Sequence, residues 1–241
     1  MAGLMRQILF NHSPFNYVYR SAVSYWRIQT LLHLRKAYQN LTFHIISNNC
    51  WGSQIYPFLG KPYLTPFVGL FFSPDDYIKL LENLDEILSI DPVFGEPGQL
   101  DDRHYPVGIL AGEITVHYLH YVDESDALEK WKRRLSRLSL KPEGLVIKFD
   151  DHDGGTQSLF QRFHQLPFPK KISFSKEKMN FSNNYRIRDE HLDLDGYQFF
   201  RVVEQYFDFF YFVTKGQCRK DPLNSFLHRK WLIDLYGERL E

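Results

Sequence analysis

The chain has 241 residues, 44% hydrophobic and 24% charged, with 29 basic and 29 acidic side chains giving a formal charge of zero. These proportions exclude intrinsic disorder, and the missing basic surplus excludes nucleic-acid binding driven by overall charge. At this length a single α/β domain over residues 1–241 is expected, large enough to bury a core without disulfide staples.

The unusual quantity is aromatic content, with 21 Phe, 15 Tyr and 4 Trp making up 17% of the chain. Cys50 and Cys218 lie far apart, so neither a disulfide framework nor a metal knuckle is expected. The first residues, MAGLMRQILFNHSPF, hold no extended apolar run, and no stretch of membrane-spanning length follows. The chain therefore reads as cytoplasmic, without a transmembrane segment.

In chain order, apolar residues recur every third or fourth position from Val23 to Tyr38, predicting an N-terminal helix over about 21–39. LTFHIIS (41–47) reads as a strand, closed by the polar turn Asn48-Asn49-Cys50-Trp51-Gly52 and a short helical stretch to Leu59. Phe67–Phe72 has strand length. Ser73-Pro74-Asp75-Asp76 supplies an N-cap, a proline at the first helical position and two acids at the positive end of the helix dipole, so a helix to about Ser89 follows.

Residues 91–105, rich in Pro, Gly and acids, read as a loop, and VGIL and EITVHYLHY, separated by Ala111-Gly112, as a β-hairpin. A helix is expected from Ser125 through Leu138, a strand over Leu145–Phe149 interrupted by Lys148, a helix over about 156–166 and a final strand at KKISFS (170–175). This alternation predicts a three-layer α/β/α fold with a mixed sheet that includes one β-hairpin. An aromatic C-terminal helical segment spans about 196–236; its greasy faces require burial in the chain's own core, against a second copy in a homo-oligomer, or against a membrane surface, the last disfavoured because its polar stripe is not rich in Lys and Arg.

Chemistry in such a sheet belongs beyond the carboxyl ends of its strands. Two loops qualify. In the first, the amides of Ser47, Asn48, Asn49, Trp51 and Gly52 could hold an anionic or hydroxyl-rich ligand beside the thiol of Cys50, or simply cap a helix over a buried cysteine. In the second, Asp150, Asp151 and Asp153 could serve as base or as ligands for a divalent cation, with Gly154, Gly155 and Thr156 near a substrate; otherwise Asp153 caps the next helix and the glycines make the turn. His117 and His120 differ by an odd number on a predicted strand and so point to opposite faces, which disfavours a shared ion and leaves His117 as the better single candidate. The basic residues 130–141 are either a solvated helix face or a phosphate contact.

Taken together, ISNNCWGSQIY, PFVGLFFSPDDYIKLLENL, YPVGIL, HYLHY followed by EKWKRR, IKFDDHDGGT and FHQLPFPKKISFS resemble a bacterial family of unknown function, domain family 1919, often labelled exopolysaccharide or capsular polysaccharide biosynthesis protein. The resemblance covers roughly residues 20–215. It implies a three-layer α/β/α domain and an association with surface glycans, and brings no established reaction or catalytic residue. The expectation is a transferase acting on a sugar nucleotide or glycan intermediate, with Asp150 or Asp151 as base or metal ligand and His117 assisting proton transfer; in a Cys-dependent acyl transferase or hydrolase variant, Cys50 is the nucleophile and His117 its base. The alternative is a non-catalytic oligomeric scaffold or glycan-binding subunit.

Overall fold

The computed structural model describes residues 35–188, 196–203 and 208–218, with positions 25, 29, 32, 33 and 194. Its spine is a parallel sheet of four strands in the order β1-β7-β8-β9: β1 His44–Ser47, β7 Leu145–Asp150, β8 Lys171–Ser175 and β9 Asn184–Arg186. Every residue of β1 and β7 is buried, as a parallel sheet covered on both faces requires.

Alternation along the strands divides the core in two. Ile46, Ile147 and Phe149 face one layer of helices: α2 Pro74–Glu82, α3 Leu84–Leu88, α4 Glu124–Leu135 and α5 Gln157–Gln165. Ile45, Val146, Ile172 and Phe174 face the other: α1 Ile55–Phe58, α6 Gly196–Val203 and α7 Phe209–Lys215. The α/β reading holds, with helices on both faces of the sheet.

The hairpin stands outside that sheet. β5 Val107–Leu110 and β6 Ile114–His117 join β2 Val93–Phe94 in a three-stranded antiparallel sheet, and β3 Gly98–Leu100 pairs with β4 Arg103–Tyr105 in a two-stranded ribbon. Residues 91–105 thus carry strands where a loop was expected, because pieces of two or three residues are too short to show a period. Phe67–Phe72 is conversely no strand: Gly69 turns the chain with φ +71°, leaving only a single antiparallel bridge between Phe71 and His117. The N-cap of α2 forms as predicted, Ser73 Oγ accepting from Asp76 N at 3.2 Å, but the helix breaks at Asn83 into α2 and α3.

The aromatic C-terminal segment is buried by the chain itself. Phe199, Phe200, Val203, Phe209, Phe212 and Val213 all pack into the second core. It forms two helices, with Asp208 Oδ1 capping α7 by accepting from Tyr211 N at 3.0 Å. Beyond residue 218 the expected segment lies outside the described residues. So does much of the N-terminal helix, although positions 25, 29, 32, 33 and 35–38 are helical and Tyr38 stacks on Phe210 at 4.2 Å. No helix among the described residues is long and apolar enough to cross a membrane.

Two predictions follow from this packing. Phe209 touches the rings of Phe43, Trp51 and Phe200, so Phe209→Ala should lower the unfolding free energy by about 3–5 kcal/mol in urea titrations; an unchanged midpoint would place the helix outside the core. On the opposite face His164 Nε2 meets Ser173 Oγ at 2.8 Å, and burial, aided by the Lys171 charge, lowers the imidazole from 6.5 to about 4. The folded state prefers neutral His164, so its contribution is complete above pH 6.5 and is lost as pH falls towards 4. His164→Asn should flatten the stability profile in that window.

Candidate functional site

The carboxyl ends of β1 and β7 are joined by one buried polar network. Lys148 and Asp150, two residues apart on β7, share a face and are fully buried. The Lys148 ammonium donates to Asp150 Oδ2, to Asn48 Oδ1 at 3.1 Å and to Asn49 Oδ1 at 2.9 Å. The Asp150 carboxylate accepts in turn from Asn48 Nδ2 and Asn49 Nδ2, each at 3.1 Å, and from His152 N at 3.3 Å. Burial alone would raise the Asp150 carboxyl, but Lys148 and the two amides outweigh it and hold it below the usual carboxylate range. The same burial lowers the Lys148 ammonium, opposed chiefly by Asp150. Around this pair stand the rings of Trp51 and Phe199, with centroids 5.9 Å and 5.4 Å from Nζ.

Above the network opens a cleft of about 640 Å³. The loop after β1 supplies Asn49, Cys50, Ser53 and Gln54, and the loop after β7 supplies His152 and Asp153. The opposite wall is Val68, Gly69 and Phe71 with Leu119 and His120 beyond β6, while Tyr63 and Leu100 complete the rim. Arg134 braces that wall from behind: buried in α4, it donates to Val68 O at 3.3 Å and to Tyr121 Oη at 2.5 Å, and it lies 4.8 Å from the Tyr63 ring centroid.

The sequence-designated residues divide accordingly. Asn49 and Cys50 line the cleft. Asn48 and Asp150 lie beneath it, and with Asn49 they expend their polar atoms on Lys148 and on one another. Ser47 Oγ accepts from Asn49 N at 3.3 Å, inside the same turn. Trp51 is fully buried in the second core, and Gly52 abuts Ile45 below it. The three carboxylates diverge: Asp150 turns inward, Asp151 Oδ2 accepts from Lys176 N at 2.9 Å, and only Asp153 reaches the cleft. Among the described residues no three His, Cys, Asp or Glu side chains are placed to hold a metal ion.

Asp153 does not cap α5. That position belongs to Thr156, whose Oγ1 accepts from Leu159 N at 3.4 Å. Gly155 serves the turn, since a Cβ there would stand 2.9 Å from Asp151 Cα; neither it, Gly154 nor Thr156 lines the cleft. His117 sits behind the cleft, half-buried between Tyr105 and Phe71, its imidazole lowered by burial. His120 does not share a strand with His117, because β6 ends at His117 and the chain has turned before His120. The basic stretch is largely committed to ion pairs, Lys130 with Asp126, Lys132 with Asp91 and Arg133 with Glu129.

Sequence reasoning passed over Lys148, taken only as an interruption of an apolar strand. A lysine two places before an aspartate in such a strand is the signal, because period 2 puts both on one buried face. Tyr63, Gln54, His120 and His152 carried no such mark; the fold alone brings them together.

A sequence model for a domain of unknown function, DUF1919, matches residues 22–213. The chain belongs to the DUF1919 family. This DUF1919 protein is also similar to an uncharacterized protein of Haemophilus influenzae (strain ATCC 51907 / DSM 11121 / KW20 / Rd), 37% identical over 156 residues that cover 64% of this chain and 72% of the other.

Removing one partner of a buried pair strands the other charge. Lys148→Met in this DUF1919 chain should therefore lower stability by about 3–5 kcal/mol, while Lys148→Met combined with Asp150→Leu should recover much of the loss. Equal losses in the single and double variants, read by denaturant titration, would contradict the pairing.

Proposed function

We propose that this DUF1919 protein is an enzyme of bacterial surface-polysaccharide assembly, a transferase acting on a sugar-bearing intermediate held in the cleft. The observation that carries the reading is the lining. Rings of Tyr63 and Phe71 stand among the polar groups of Ser53, Gln54, His120, His152 and Asp153, at the carboxyl ends of parallel strands. Aromatic faces suit the C–H faces of a pyranose, and short polar side chains suit its hydroxyls.

Gln54 adds a side-chain amide to that lining, and its buried Oε1 has no hydrogen-bond partner among the described residues. With Asp150 bound to Lys148, proton handling falls to His120, His152 and Asp153. The resemblance of the sequence motifs to a family often labelled for exopolysaccharide or capsular polysaccharide biosynthesis supports a surface-glycan pathway.

Thermal-shift screening against nucleotide sugars and short oligosaccharides, with and without Mg²⁺ or Mn²⁺, tests this reading. A true ligand at about a hundred times its Kd should raise Tm by about 5–10 °C, and Tyr63→Ala should remove the rise. No shift with any sugar compound would sink the proposal.

A further inference from the structure

Within the cleft, one nucleophile and one base approach the same short stretch of chain. Cys50 Sγ lies 3.7 Å from the carbonyl oxygen of Leu70. His120 packs on the preceding residue, where a Cβ added to Gly69 would stand 3.1 Å from His120 Cβ and 3.5 Å from Cδ2. The glycine thus makes room for the His120 side chain one residue before the carbonyl that the thiol meets. Both side chains line the cleft.

The thiol is also held from below. Asn49, the residue before it, is fixed through its amide to Lys148 and Asp150, and its Oδ1 accepts from Trp51 N at 3.3 Å on the far side of Cys50. The backbone on both sides of the sulfur is therefore anchored to the sheet, the rigidity a reacting group needs. The Lys148 ammonium lies within electrostatic reach of Cys50. At Cys218, the other cysteine, burial pushes the thiol up to about 11 even though Tyr185 hydrogen-bonds to it.

We propose that Cys50 and His120 form a thiol–imidazole pair that takes an acyl group from an acyl thioester and passes it to a hydroxyl of the sugar in the cleft. This rests on the reading of the cleft as a sugar site. In the first half, His120 accepts the Cys50 proton and Sγ bonds to the donor's carbonyl carbon. The donor's own C–S bond breaks, and its thiolate leaves with the proton from His120. In the second half, a sugar hydroxyl gives its proton to His120 while its oxygen attacks the Cys50 thioester. The C–Sγ bond breaks, and the thiol regains its proton. The sum is thioester plus sugar alcohol to sugar ester plus free thiol, with no redox change.

The test uses the full chain and acetyl-coenzyme A as the probe thioester, read by intact mass and peptide mapping. The expected result is one acetyl group on the Cys50 peptide, released by neutral hydroxylamine, absent from Cys50→Ala and retained in Cys218→Ala. His120→Asn should slow its formation about 100-fold while circular dichroism stays unchanged. No adduct, equal labelling of Cys218, or a rate indifferent to His120→Asn would each overturn the proposal. Sugar binding is measured separately by thermal shift on Cys50→Ala. A retained shift without acetylation of the native chain removes only the acyl-transfer inference, whereas acetylation without any sugar-induced shift removes the sugar-site reading on which it rests.

Discussion

The site depends on an ammonium ion kept out of water. Lys148 lies in the middle of a sheet buried on both sides, where an unpaired charge would be untenable, so everything within reach of it is arranged to accept a hydrogen bond. Asp150 supplies the opposite charge, and the side-chain carbonyls of Asn48 and Asn49 satisfy the rest. Two strand ends are thereby fastened to each other through side chains, and the loop that carries Cys50 has its course set by the two asparagines that hold the cation. A buried pair of this kind contributes little net stability against an apolar replacement. Its effect is conformational, selecting one path for the loop.

The aromatic excess makes that burial possible. Trp51, Phe174, Phe199, Phe200 and Phe209 form a continuous set of ring contacts over the second face of the sheet, closing the space around the pair. The other face is packed by Tyr77, Phe149, Phe160 and Phe163. Rings fill volume with few rotatable bonds, so a short sheet with short helices can still enclose a dry interior.

Elements with a full period were readable from sequence: β1, β7 and β8 from their apolar runs, α2 from its cap, and the hairpin from Ala111-Gly112. The faults lay where local pattern carries no information about partners. Nothing in residues 107–117 says that the hairpin would pair with Val93–Phe94 and not with the main sheet. Similarly, Phe67–Phe72 has a strand's composition, but the turn at Gly69 breaks it and leaves only the bridge from Phe71 to His117. Of the site, the two strand-end loops were legible because topology puts them there. The division between residues that face the cleft and those that hold it up was not, since Asn48 and Asn49 read identically until Lys148 claims their amides. His120 was lost to a strand that stops four residues earlier than its sequence suggests.

The segment around Phe71 joins the two sheets through the main chain. Phe71 exchanges backbone hydrogen bonds with His117, each at 2.9 Å, and the next residue, Phe72, donates to Asn48 O at 2.9 Å. The strand-end loop and the hairpin are thus tied by bonds that contain no side-chain atom. Substitution at Tyr63, Gln54, Leu119 or His152 can change what the cleft favours, yet leaves the spacing of its walls where the backbone sets it. The arrangement separates the side chains that line the cleft from the backbone frame that sets its width, so the lining can change without moving the walls.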